Sequence, residues 1–98
     1  MGASLPAEAA GSVHELSVAL EVCRLAEAQV GHAALARVIA VGVVVGDDAG
    51  VERENLAFCL EALLAAPPFA GAHPVLLPAP GDELRLDYLE LDDGRPND

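Results

Sequence analysis

Lysine is absent from the 98 residues, and the five basic side chains are all arginines: Arg24, Arg37, Arg53, Arg85 and Arg95. That excludes catalysis by a lysine amine and a lysine-bearing phosphate loop. With sixteen acids against these five arginines the formal net charge is −11. No basic patch exists to neutralise nucleic-acid phosphates or to hold an anionic membrane surface. Cysteine occurs only as Cys23 and Cys59, with no CxxC pair, so a four-cysteine structural zinc site cannot be built. Serine is confined to Ser4, Ser12 and Ser17, in no nucleophile-elbow setting. Long apolar runs are missing as well. The longest, Val38 to Val45, is far too short to span a bilayer. The first residues carry neither the basic region nor the apolar stretch of a secretory signal. The expectation is a cytoplasmic, non-enzymatic protein with reduced thiols.

A chain of this length forms one domain and buries only roughly 60–65% of its unfolded surface. An apolar fraction of 53% supplies a packed core and excludes wholesale disorder. The charge is lopsided. Residues 1–46 hold four acids and two arginines; residues 47–98 hold twelve and three. An acidic half of this kind is either a solvated surface or a face for a cationic partner or a divalent metal.

Residues 1–12 (MGASLPAEAAGS) are small, polar and rich in Ala and Gly, and read as a flexible leader. A first helix is predicted over about Leu16–Val30. Its buried stripe is Leu16, Ala19, Leu20, Cys23, Ala26 and Val30, with Ser17, Glu21, Arg24 and Ala28 on the other side. Ahead of it, Ser12-Val13-His14-Glu15 spells a capping box. Glu21 and Arg24 are spaced to pair at i,i+3, and Gly31 takes the left-handed C-cap position. Arg37 to Gly46 is β-branched and apolar on both alternating faces, as in a strand with neighbours on both sides. Gly46 to Gly50 is a turn.

A second helix follows over about Glu52–Ala66, with acids in its first turn and a stripe of Leu56, Cys59, Leu60 and Leu63. Pro67-Pro68 ends it. Ala72–Leu77 is a short strand that Pro74 and Pro78 confine to a sheet edge or to strand ends. The last strand spans Glu83–Leu91. Leu84 and Leu86 share one face, but Leu89 and Leu91 are out of phase with them, which predicts a bulge near Asp87-Tyr88. Asp92 to Asp98 is an acidic tail. The order α-β-α-β-β gives an α/β (α+β) fold, two helices on one face of a three-stranded mixed sheet. The expected core is Leu20, Cys23, Val41, Val43, Leu56, Cys59, Leu60, Leu63, Leu84 and Leu86.

Three histidines are available for chemistry. His32 follows the helix C-cap, where a cation complements the dipole. His73 precedes Pro74 on the expected edge strand and reads as exposed. His14 stands at the head of the first helix, beside Glu15. Both are either ordinary helix-start residues or metal ligands, since imidazole suits nickel, copper and zinc. A histidine second in a chain has a further property. The terminal amine, the histidine amide and the imidazole close fused chelate rings, and nickel(II) accepts planar nitrogen sets of that kind.

The stretch His14-Glu15-Leu16-Ser17-Val18-Ala19 resembles the opening H-E-(L/M)-S-(L/I/V)-A of the HypA family, nickel metallochaperones of nickel–iron hydrogenase maturation. Arg37-Val38 and the strand to Gly46 resemble that family's R-V-x-x-(V/I)-x-(V/L)-x-(I/V)-G. Gly50-Val51-Glu52 through Leu56-Ala57-Phe58-Cys59-Leu60-Glu61 resembles its S-G-V-x-x-x-x-L-x-F-(C/A)-(F/L)-E helix. Gly71-Ala72 and Val75 to Pro78 resemble the strand after it. Gly81 to Leu86 and Leu89-Glu90-Leu91 resemble its closing segment. Coverage is about residues 13–91, in order and at the family's spacing.

The resemblance implies a nickel-binding domain with His14 as the imidazole ligand and Glu15 giving its backbone nitrogen and its carboxylate. Nickel(II) is then transient cargo. The implied partners are a HypB-like hydrogenase maturation GTPase and the hydrogenase large subunit, with a homodimer as a further possibility. A module derived from the same scaffold that binds partners and no metal is the alternative. Two departures stand out. The family inserts a zinc ribbon with paired CxxC motifs between its last two strands, whereas here Pro78 reaches Gly81 through Ala79-Pro80 alone, so no zinc is expected. His14 is also not second in the chain as written, which turns the terminal amine into an ordinary amide at Val13. Valine is what a GTG start codon gives when read inside a longer frame, and the composition suits a GC-rich genome. The expectation is a native start at position 13, reading Met-His-Glu.

Overall fold

In a computed structural model, residues 14–92 are described. Helix α1 spans His14–Val30, and a 3₁₀ segment, His32–Arg37, leads into strand β1, Val38–Gly46. Helix α2 spans Arg53–Leu64, and strands β2, His73–Ala79, and β3, Leu84–Leu91, complete the chain. The sheet order is β2-β1-β3. Strand β1 runs parallel to β2, from Ala40 opposite His73 to Gly46 opposite Ala79. It runs antiparallel to β3, from Val38 opposite Leu91 to Val45 opposite Leu84. This is the mixed α+β sheet that the alternation of patterns predicts.

The strand chemistry places each strand. β1 is buried at every position except Ile39, as a β-branched run with neighbours on both edges must be. Strand β2 carries Pro74 and Pro78 inside it and lies at the edge, where missing N–H donors cost no ladder bond on the outer side. In β3 the register steps between Gly42 opposite Tyr88 and Val43 opposite Leu86. Asp87 is the extra residue, and the bulge puts Leu89 back on the face that Leu84 and Leu86 occupy. Tyr88 lies across Gly42, where a Cβ would collide with its ring; the glycine leaves room for the aromatic.

Val41, Val43 and Val45 of β1 form one core with Val18, Val22 and Ala26 of α1, Leu56, Leu60 and Leu64 of α2, and Leu84 and Leu86 of β3. The predicted α1 stripe needs correction. Leu16 and Leu20 are 42% and 52% exposed, while Val18, Ala19, Val22 and Ala26 are fully buried. Apolar residues cover more than half of this helix, so the pattern leaves two candidate faces about one residue, or 100°, apart. The bulky leucines suggested the wrong one; the close approach to the sheet selects the smaller valines and alanines. Cys23, Cys59 and Leu63, placed in the core above, are only partly buried at its margin, and Leu64 takes the central place at the end of α2.

Gly31 has φ of +87° and ψ of 154°. The positive φ agrees with a glycine stop, but ψ lies in an extended region open essentially to glycine alone, and the chain turns directly into the 3₁₀ segment. The expected pair of Glu21 and Arg24 is formed, with Arg24 Nε donating to Glu21 Oε1 at 2.9 Å. The link between β2 and β3 is clamped to the end of β1. The Gly46, Asp47 and Asp48 N–H groups donate to the carbonyls of Glu83, Ala79 and Gly81 at 2.6, 2.9 and 2.7 Å.

Leu60 is fully buried at the centre of α2's inner face. Leu60→Ala should cost about 2–5 kcal/mol as a core truncation. Leu20→Ala, on the exposed side of α1, should stay within about 0.5 kcal/mol. Urea denaturation midpoints check both, and equal midpoints for the two variants would show that the inner face is misassigned.

A candidate metal site at the helix N-termini

His14 and Glu15 open α1, and both are buried, at 5% and 7% exposure. The inward arc of the helix carries them with it, since positions 14, 15, 18, 19 and 22 lie on one side of the turn. Two polar residues at the start of a buried arc must find partners there. Glu15 finds them on α2. Its Oε2 accepts from the Glu52 N–H at 3.0 Å, and its Oε1 accepts from Asn55 Nδ2 at 3.1 Å.

Glu52 is the N-cap of α2, and its Oε1 accepts from the Asn55 N–H at 2.8 Å. The first turn of α2 leaves N–H groups without helical partners and carries the positive end of the dipole. One carboxylate from within and one from α1 therefore meet that end. The Glu52 N–H holds the Glu15 carboxyl below its ordinary value of 4.5; burial opposes this, and Glu15's own N–H, the Asn55 amide and His14 add to it.

His14 is the converse. Its Nε2 is buried and has no hydrogen-bond partner among the described residues, the one side-chain nitrogen or oxygen there in that condition. A buried polar atom left so costs about 1–3 kcal/mol. At the head of α1 an imidazole with a free nitrogen thus adjoins a carboxylate with none of its oxygens free. The imidazole suits a transition-metal ion. The carboxylate is turned toward α2, with each oxygen accepting one hydrogen bond there.

The other candidate groups are not gathered here. His32 Nδ1 lies 3.1 Å from Glu27 Oε2, and both side chains are exposed. His73 is exposed on β2. Cys23 and Cys59 are free thiols, and burial pushes the Cys23 thiol up to about 11, which keeps it from acting as a thiolate. Among the described residues no group of three or more His, Cys, Asp or Glu side chains is placed to hold a metal ion. Ser12, the other half of the predicted capping box, lies outside the described residues. Asn55 and the Glu52 N–H were not foreseen from the sequence. They lie 40 and 37 positions from Glu15, and no local pattern links segments so far apart.

The Glu15 bridge has a pH signature. Folding favours the ionised carboxyl, so its contribution is complete above the ordinary value of 4.5 and is lost as pH falls through the lower value of the folded state. At neutral pH, Glu15→Ala should lower stability by about 1.5–3 kcal/mol, the usual range for a hydrogen bond to a charged group. The gap between variant and wild type should close on acidification below 4.5. Urea titrations at neutral and acid pH measure it; a gap independent of pH would show that the ionised carboxylate is not what joins the helices.

Comparison with known proteins gives the chain a family. The family model described as hydrogenase/urease nickel incorporation, metallochaperone, hypA matches residues 13–82. No curated protein and no solved structure matches the chain significantly. The match begins beside His14, takes in both helices, β1 and β2, and extends through the link to β3. The chain belongs to the HypA family of hydrogenase/urease nickel-incorporation metallochaperones.

Proposed function

We propose that this protein carries nickel(II) as cargo, bound through His14, and passes it to a nickel–iron hydrogenase in the cytoplasm, through a HypB-like GTPase or directly to the large subunit. The observation that supports this reading is the buried, unpartnered Nε2 of His14 at the head of α1, in a chain whose family incorporates nickel. Glu15 adds its backbone nitrogen to the set. Its carboxylate serves α2. Nitrogen donors of this kind suit nickel(II) in planar coordination.

A second reading is an interaction module on the same scaffold that binds no metal. It draws support from the lack of any three-ligand side-chain group among the described residues. Zinc has no role in either reading: the two cysteines sit singly on different helices. Chelator treatment is therefore expected to leave the circular dichroism and melting temperature unchanged.

Calorimetric nickel titration separates the two readings. A chain whose amino terminus lies at position 13 should bind nickel tightly, because a free amine next to the histidine amide and imidazole completes the chelate. The full chain should bind more weakly, still through His14. Binding should weaken below about pH 6.5, where imidazole and amine hold their protons. His14→Ala should abolish it in the short form, while His32→Ala and His73→Ala leave it intact. Equal, weak binding by the long form, the short form and His14→Ala would leave the interaction module standing.

A further inference from the structure

We propose that Asn55 is a positioning residue for the metal end of α1, and that the Glu15 carboxylate it holds is a clamp and not a metal donor. The proposal rests on the reading of His14 as the nickel ligand. It starts from what each oxygen of Glu15 does. One accepts from a main-chain N–H of α2 at 3.0 Å and the other from the Asn55 amide at 3.1 Å. Asn55 is itself fixed, because its own N–H donates to Glu52 Oε1 at 2.8 Å. The amide therefore projects from an anchored point onto an anchored acceptor.

Glu15 is joined to His14 by a single peptide unit. Pinning the Glu15 side chain fixes the amide between the two residues and the entry of the buried His14 ring, whose Nε2 is unpartnered. That ring nitrogen is the one that would face a metal ion. A carboxylate swung round toward a metal ion would give up its contacts with the Glu52 N–H and the Asn55 amide. Withholding the carboxylate also shapes selectivity. Nitrogen sets favour nickel, copper and zinc, whereas carboxylate oxygens favour magnesium, calcium and manganese. In a chain of net charge −11, keeping an oxygen donor out of the set is what disfavours the commoner hard cations. Partners that orient ligating residues are worth about 10–100-fold in metal affinity when removed.

The test uses the full chain, nickel(II) sulfate as the probe, calorimetry for affinity and visible absorption for coordination geometry. Thermal melts first establish that each variant is folded at the titration temperature. Asn55→Ala and Asn55→Asp should weaken nickel binding by about 10–100-fold and alter the nickel absorption bands. Glu15→Ala should lose as much. Glu15→Gln, which like Asn55→Ala keeps only one of the two bonds to α2, should lose about as much as Asn55→Ala. The opposite pattern, in which both Glu15 variants lose affinity while Asn55→Ala binds nickel more tightly than wild type, makes the carboxylate a donor and overturns the proposal. Asn55 variants that melt earlier yet keep wild-type affinity and spectrum also overturn it, since the clamp is then a brace of the fold alone. His14→Ala separates the two levels. If it abolishes binding while the Asn55 variants do not change it, only the clamp fails. If it binds like wild type, the function proposed above fails and the clamp with it.

Discussion

Strand β1 is the constraint on which the rest of the structure depends. It has neighbours on both edges, and its backbone groups are committed to β2 on one side and β3 on the other. Its alternate side chains Val41, Val43 and Val45 supply the floor on which both helices rest. A segment so placed tolerates no charge and no proline, and Val38 to Gly46 contains neither. The proline-bearing strand and the bulged, charged strand are pushed to the edges, where an imperfect ladder costs least.

The position of β1 also decides where the site forms. Its last residues are held by the β2–β3 link through three main-chain bonds. The turn after Gly46 therefore leaves the sheet at a fixed point and delivers Glu52 and Asn55 to the head of α1. The chain thus brings two helix N-termini side by side, an arrangement that two positive dipole ends would resist. The Glu15 carboxylate relieves this by standing between them. It satisfies an orphan N–H of α2 and places negative charge where the dipoles ask for it. Seen this way, the glutamate directly after His14 contributes first to holding the helices together.

What the sequence could tell divides along a physical line. Features set by one segment and its neighbours in the chain were legible: the two-sided strand, the edge strand marked by Pro74 and Pro78, the turn after Gly46, and the bulge at Asp87 read from the phase of Leu84, Leu86, Leu89 and Leu91. Features decided by contact between distant segments were not. The buried face of α1 is chosen by how closely it approaches β1, which composition does not encode when leucines, valines and alanines surround the helix. The 3₁₀ segment His32–Arg37 has no periodic signature at its length. At the site, His14 and Glu15 stood out because they are polar at the start of an apolar helix. Their environment did not, since Asn55 is one polar residue among several in the first turn of α2.

The remaining acids act at a different range from the site. A net charge of −11 raises the local concentration of any cation, without regard to its chemistry. At physiological ionic strength that field fades over roughly 8 Å, so discrimination must come from the atoms in contact. At the head of α1 both oxygens of Glu15 and one of Glu52 already accept hydrogen bonds. Glu15 is held by Glu52 and Asn55, and Glu52 Oε1 is held by the Asn55 N–H. Charge can attract a cation to this end of the molecule, and the buried side-chain atom left without a partner there is the His14 Nε2 nitrogen. On the nickel reading proposed above, tying Glu15 to the head of α2 is what would let the same surface attract cations broadly and retain them narrowly.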